Sequence, residues 1–349
     1  MSKPLLNSGY RRTGQGRLFL IYRPLVMSGL LGLGAVLLLG AIAASMIGSV
    51  PTSARAVFAW LDGSAENELL AFIVGQLRLP RILLALLCGA ALGAAGAAMQ
   101  STTRNSLADP GLIGIKEGTV ITVVTVLLFF PQMPAFWRPV LGLAGGAAIA
   151  VAVICIARSL SGLRFVLIGI GVSWLLSSAI ALFMTMARIS EVQTAMIWLG
   201  GSLHAASWLD LNLALPWSIV GFAMLVATTR SADAAVLGEA TSVGLGVRLH
   251  RLNGARLAAS VLLTSACASV VGGLGFVGLI APHLARFCFG SSQMPLLFGS
   301  AIFGSLLVLA ADTIGRTVFA PIQVPAGILM AILGLPFFLG LMWQKREAL

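Results

Sequence analysis

Between residues 24 and 54 the chain carries no Asp, Glu, Lys or Arg, and eight more charge-free runs follow at 82–103, 118–137, 139–157, 165–187, 211–229, 257–282, 287–311 and 317–344. Each reaches the roughly 17–25 residues that a membrane-crossing helix needs. The runs are continuously apolar rather than alternating, which points to helices and away from a barrel. With 58% hydrophobic residues and only 9% charged ones, the chain has too little polar surface to cover a soluble core. The fold class this predicts is an all-α, polytopic membrane protein.

The formal charge of +11 raises the possibility of nucleic-acid binding, but the placement of the cations excludes it. They cluster at residues 3–23 and in short breaks between apolar runs, with no basic patch interleaved with aromatics. Such placement is how cytoplasmic loops are marked. Residues 1–23 therefore read as a cytoplasmic segment, and 24–349 as one transmembrane domain. The 24–54 run is too long for the core of a cleavable signal, so it reads as a signal anchor. Both termini are basic and are expected on the same side, which nine spans forbid. Gly272, Gly273 and Gly275 break the 257–282 run, so a helix ending near Val271 and a short one from Phe276 to Gly290 raise the count to about ten. With that count sixteen of the 22 cations, Lys116 included, fall on the cytoplasmic side. The stretch 192–209, broken by Gly200, Gly201 and Ser202, reads as an outer loop with a short helix.

Glycines three and four apart, at Gly89, Gly93 and Gly96 and at Gly142, Gly145 and Gly146, mark faces where helices approach closely. The four cysteines lie in four different runs without a C-x-x-C pair, which fits small buried hydrophobes and no protein-built metal site. No G-x-x-x-x-G-K-[ST] occurs, so the chain has no phosphate cradle of its own. No charge stands centrally in any predicted span, where a self-sufficient secondary carrier would keep one. Neither catalytic residues nor a cofactor are expected, and the energy source is expected in another chain.

Three segments then carry a resemblance. They are RLPRILLALLCGAALGAAGAAMQSTTRNSLADPGLIGIKEG at 78–118, GLGFVGLIAPHLARFCFG at 273–290, and ADTIGR at 311–316 followed by VPAGILMAILGLPFFLGLM. In this order they resemble the permeases of the FecCD family, the type II ABC importers for iron–siderophores, haem and vitamin B12. The resemblance implies a ten-helix subunit that pairs with a second permease, identical or paralogous, about a central passage. It also implies two ATP-binding subunits and a periplasmic or lipoprotein substrate-binding protein, in a bacterial inner membrane. A ferric-siderophore chelate is the implied cargo, with vitamin B12 or haem as the alternative.

Family positions carry over residue by residue. Arg78, Arg81 and Arg316 match arginines that face the binding protein, and Arg suits that task because its planar fork fits carboxylates. LGEATSVGLGV, at 237–247 within a cytoplasmic loop of about 231–250, matches the segment that couples to the ATPase. It offers Leu237, Gly238, Glu239, Gly244, Leu245 and Gly246, with Gly244 and Gly246 expected to allow a sharp turn. Asn105 and Leu107 match the cytoplasmic gate, where Ser106 replaces the usual proline. SSQMPLLFG after Gly290 departs from the family pattern. His283 reads as a packing residue beside Pro282.

Overall fold

The computed structural model describes residues 24–48, 67–130, 132–160, 162–186 and 198–345, with short pieces at 11–13, 20–22, 52–53, 57, 60, 62–63, 192 and 195–196. Among the described residues, ten helices of thirteen residues or more make up the fold. They are α1 (Pro24–Met46), α2 (Glu68–Thr103), α3 (Ile115–Phe129), α4 (Trp137–Ala157), α5 (Leu163–Met186), α6 (Trp208–Ala235), α8 (Leu249–Val271), α9 (Val277–Phe289), α10 (Gln293–Thr317) and α11 (Ala326–Lys345), with one short helix, α7 (Glu239–Gly244), between α6 and α8. Seven of the ten are long and apolar enough to cross a membrane by themselves. A two-stranded ladder, Arg11–Thr13 against Leu20–Tyr22, precedes α1 and is the one departure from an all-helical chain among the described residues.

The α8–α9 break falls where the glycines place it. Gly272 takes φ +75° and closes α8, and Gly290 at φ +79° closes α9. At 1.5 Å per residue α9 spans only ~20 Å, so it must lie inside the protein. Its first half, Val277 to Pro282, is buried.

α2 is the hub. It lies longest against α10, and α8 and α9 pack on its other sides. Glycine sets these distances. A Cβ on Gly89 would stand 2.4 Å from the Gly304 carbonyl oxygen of α10, and one on Gly96 would stand 2.0 Å from the Gly278 carbonyl oxygen of α9. Backbones this close exchange dispersion contacts that larger side chains would prevent. Around the seams Leu84, Cys88, Leu263, Leu279, Val308 and Met330 form the main core. Near its start α2 loosens into a π-helical stretch over Ile73–Arg78, where the Leu79 amide bonds the Val74 carbonyl. Pro80 next in line has no amide to donate, and the slipped register buries Arg78.

Candidate functional site

The bundle has a cation-rich end, where α2 and α4 stop and α7 sits, and an opposite end, where α1 and α10 stop.

At the opposite end the structure brings Arg78, Arg81 and Arg316 together, with Asp312 paired to Arg81 and Arg316. Arg81 is bidentate on Asp312, with Nε at 2.9 Å from Oδ2 and Nη2 at 2.8 Å from Oδ1, and its Nη1 donates to Gln323 Oε1. Gln323 Oε1 also lies 2.7 Å from His204 Nδ1. Arg316 Nε stands 3.8 Å from Asp312 Oδ2, one helical turn away. Its other nitrogens donate to the carbonyls of Ile47 and Ala44, while Arg78 Nη1 donates to Ser45 O and Thr52 Oγ1, both at 2.6 Å. Two guanidiniums thus satisfy carbonyls that α1 leaves unpaired at its C-terminus, where the helix dipole also favours a cation. Arg78 is only 7% exposed. The motif spacing points to these arginines but not to this work, because α1 is separated from Arg316 by most of the chain.

At the cation-rich end α6 runs into the coupling-like segment. Gly238 enters α7 with φ +104° and Gly246 leaves it with φ +82°. Gly244 keeps helical backbone as the last residue of α7, so the turn expected of Gly244 and Gly246 is made by Gly238 and Gly246. Ser242, inside the matched segment but not among the candidates it offered, fixes the segment. It is fully buried, its hydroxyl donates to the carbonyls of Ala234 and Gly238, and its own carbonyl accepts the Val247 amide. Leu237, Val243 and Leu245 are left 59–64% exposed, beyond the ends of the spanning helices. Glu239 opens α7 in its first turn and is exposed.

The third feature corrects the sequence reading. The stretch after α2 was expected to stay at the cytoplasmic surface with Lys116. Instead the chain turns at Arg104 (φ 52°) and climbs back into the bundle. Asn105 Oδ1 accepts the Leu107 amide in a tight turn, and Asp109 caps a 3₁₀ turn at Pro110–Ile113 through the Gly111 amide. Asp109 Oδ2 would lie 2.6 Å from a Cβ on Gly278, beside Gly96, which is ~10 Å short of the end of α2. Lys116 lies against Gly273, beyond the far end of α8. It pairs with Glu117 at 3.3 Å, and both stand in the first turn of α3, inside the bundle rather than at its surface.

These charges line two cavities that meet at Lys116, Glu117 and Ser177. One, of about 370 Å³, adds Asp109, Trp174, Phe276, Leu335 and Phe338, and the other, of about 280 Å³, adds Val120, Ile180 and Met184. A water-filled or cargo-filled space is where intramembrane charge is tolerated. Asn105 and Leu107 sit half-buried at the foot of the re-entrant loop. His283 stacks edge-on to Phe337, with Nδ1 at 3.0 Å from the Leu279 carbonyl oxygen, which is a packing role.

A model of the FecCD transport family matches residues 36–344. The chain is 38% identical over 328 residues to the Fe(3+)-citrate import system permease protein YfmE of Bacillus subtilis (strain 168), covering 93% of this chain and 96% of that one. It is 32% identical over 302 residues to the Fe(3+) dicitrate transport system permease protein FecD of Escherichia coli (strain K12), covering 86% and 93%. Among solved structures, a metal-chelate type ABC transporter in an inward-facing conformation superposes with a TM-score of 0.79 at 26% identity, covering 91% of this chain and 99% of that chain.

Proposed function

The chain belongs to the FecCD transport family, and on that premise we propose that it is the permease subunit of an ATP-driven importer that carries an intact ferric chelate inward across the bacterial inner membrane. In this reading the cation-rich end faces the cytoplasm, the chain does no covalent chemistry, and both termini are cytoplasmic.

The observation that carries the reading is α7. A six-residue helix pinned by Ser242 holds Leu237, Val243 and Leu245 exposed in a polar region flanked by Arg230, Arg248 and Arg251. Apolar side chains there gain nothing from lipid and are worth burying against protein. An ATP-binding subunit is the partner a transporter without a phosphate loop requires. Two such subunits, a second permease completing the passage and a substrate-binding protein complete the assembly.

The rim of Arg78, Arg81 and Arg316 is assigned to that binding protein. Three guanidiniums with the single carboxylate of Asp312 among them, paired to Arg81 and Arg316, leave the rim positive, and Arg81 with Gln323 and His204 forms its outer layer. Their field steers an acidic partner, while Arg78 and Arg316 hold the surface in shape. Asn105 and Leu107 are assigned to the inner gate, and the two cavities at Lys116 and Glu117 to the passage.

Replacing Leu245 by Asp tests the reading. The variant is expected to insert normally and to lose co-purification with the ATP-binding subunit. If the variant retains that subunit as the unmodified chain does, the coupling assignment is wrong. Uptake assays with ferric citrate, a ferric hydroxamate, hemin and vitamin B12 then fix the cargo.

A further inference from the structure

A separate cavity of about 410 Å³ opens at the cation-rich end between the ends of α2, α6, α8, α9 and α10, next to α7. Arg104, Arg256 and Arg286 line it, against the single carboxylate of Glu239. Asp233 stands behind, where its Oδ1 accepts the Gln293 amide at 2.8 Å.

Arg256 is the informative residue. It enters ~10 Å along α8 and is only 4% exposed. One of its nitrogens is well placed, with Nη2 donating to Ser101 Oγ at 2.7 Å and to Gln293 Oε1 at 2.9 Å. Its Nε and Nη1 have no acceptor among the described residues, and the buried Thr102 Oγ1 on the same cavity wall has no partner there either. A guanidinium buried with donors unmet is expensive; the charge of Asp233 acts on it from behind, but no carboxylate lies within ion-pair distance of it among the described residues.

We propose that this cavity is a binding site for a phosphate-class oxyanion, held by Arg256 and closed at its mouth by Arg104. A tetrahedral oxyanion offers several acceptors at once, which suits the buried and unpartnered Nε and Nη1 of a planar guanidinium, and the unpartnered Thr102 Oγ1 on the same wall is a further neutral donor. The cavity is larger than a bare phosphate needs, and basic cavities between spanning helices at a cytoplasmic face suit the headgroups of anionic lipids. A lipid phosphodiester and free phosphate share this chemistry. Its occupant ties the ends of α2, α8 and α9 together beside α7. The site stands apart from the passage and from the rim, and it does not rest on the assignment of cargo.

The test titrates the full chain in detergent with phosphatidylglycerol, with inorganic phosphate and with phosphatidylcholine as control, reading bound ligand by native mass spectrometry and the unfolding midpoint. Saturable binding of at least one anionic probe is expected, with Arg256→Gln weakening it about tenfold, as the loss of a charge-assisted contact should. Arg104→Asn, which tolerates the left-handed backbone at that position, is expected to weaken it several-fold without moving the midpoint of the unliganded chain. Saturation by phosphatidylglycerol alone identifies a lipid headgroup, and saturation by phosphate alone identifies a free anion. If Arg256→Gln does not fold, Arg104→Asn combined with Thr102→Val carries the same test. Absence of saturable binding, or equal affinities in the unmodified chain and the folded variants, overturns the site.

Discussion

Asp312 is 3% exposed and shares its two oxygens between Arg81 and, at longer range, Arg316. Removing one partner of such a buried pair costs about 3–5 kcal/mol, because the remaining charge is left uncompensated. Asp312→Asn is therefore expected to lower the unfolding midpoint in detergent clearly, and Arg81→Lys to lower it too, since an ammonium cannot reproduce the two-pronged contact. An unchanged midpoint in both would show that the cluster contributes no stability. Arg81→Glu is expected to weaken association with the binding protein and to make the residual binding less salt-sensitive. If these arginines only anchor lipid phosphates, affinity measured in detergent and in nanodiscs stays the same. The motifs made the three arginines legible as a set, and the structure does bring them together. Their hydrogen bonds to α1 were not legible, because those partners are backbone carbonyls of a helix with no motif. Lys116 was misplaced for a related reason. A charge just before an apolar run reads as a surface residue, and what draws it inward is the packing of Asp109 against Gly278.

Helix boundaries followed from glycine and charge where the backbone itself sets the break. Three glycines within four residues ended α8 and began α9 as expected, and spacings of three and four marked the α2 seams. On this account Gly96→Val should prevent assembly, since its Cβ would fall 2.0 Å from the Gly278 carbonyl oxygen, which cannot swing aside as a side chain can. A monodisperse, transport-competent Gly96→Val protein would contradict the α2–α9 contact. At α7 the two candidate glycines separate. Gly246 sits at φ +82°, where a β-branched residue is strongly disfavoured, while Gly244 is helical with open space where a Cβ would go. Gly246→Val is expected to reduce uptake severely with normal membrane insertion, and Gly244→Val to reduce it little. Equal losses would place the coupling contact on the helix end rather than on the turn. The re-entrant stretch at 104–114 escaped the sequence because its polar residues resemble any surface loop, and only its caps and its seat on α9 distinguish it.

For the molecule as a whole, the ten helices of thirteen residues or more among the described residues agree with the count reached from nine apolar runs and one parity condition, that basic ends on a common side require an even number of crossings. The two cavities assigned to the passage were not readable, because their walls come from α3, α5, α9 and α11, each of which reads alone as an ordinary span. Orientation can be checked by cysteine labelling at Ser53 and at the C-terminus, after replacing the exposed Cys155 and Cys288. Ser53 should react from outside and the C-terminus only from inside. The central claim is that this chain forms a passage opened by ATP hydrolysis in a partner rather than by a gradient it harnesses itself. Uptake of radiolabelled ferric chelate into proteoliposomes measures this directly. The chain assembled with its second permease, ATP-binding subunits and binding protein should accumulate chelate only with ATP, and the chain alone should neither hydrolyse ATP nor accumulate chelate under a proton or sodium gradient. Gradient-driven accumulation by the chain alone, or uptake by the full assembly that is indifferent to ATP, would contradict the account.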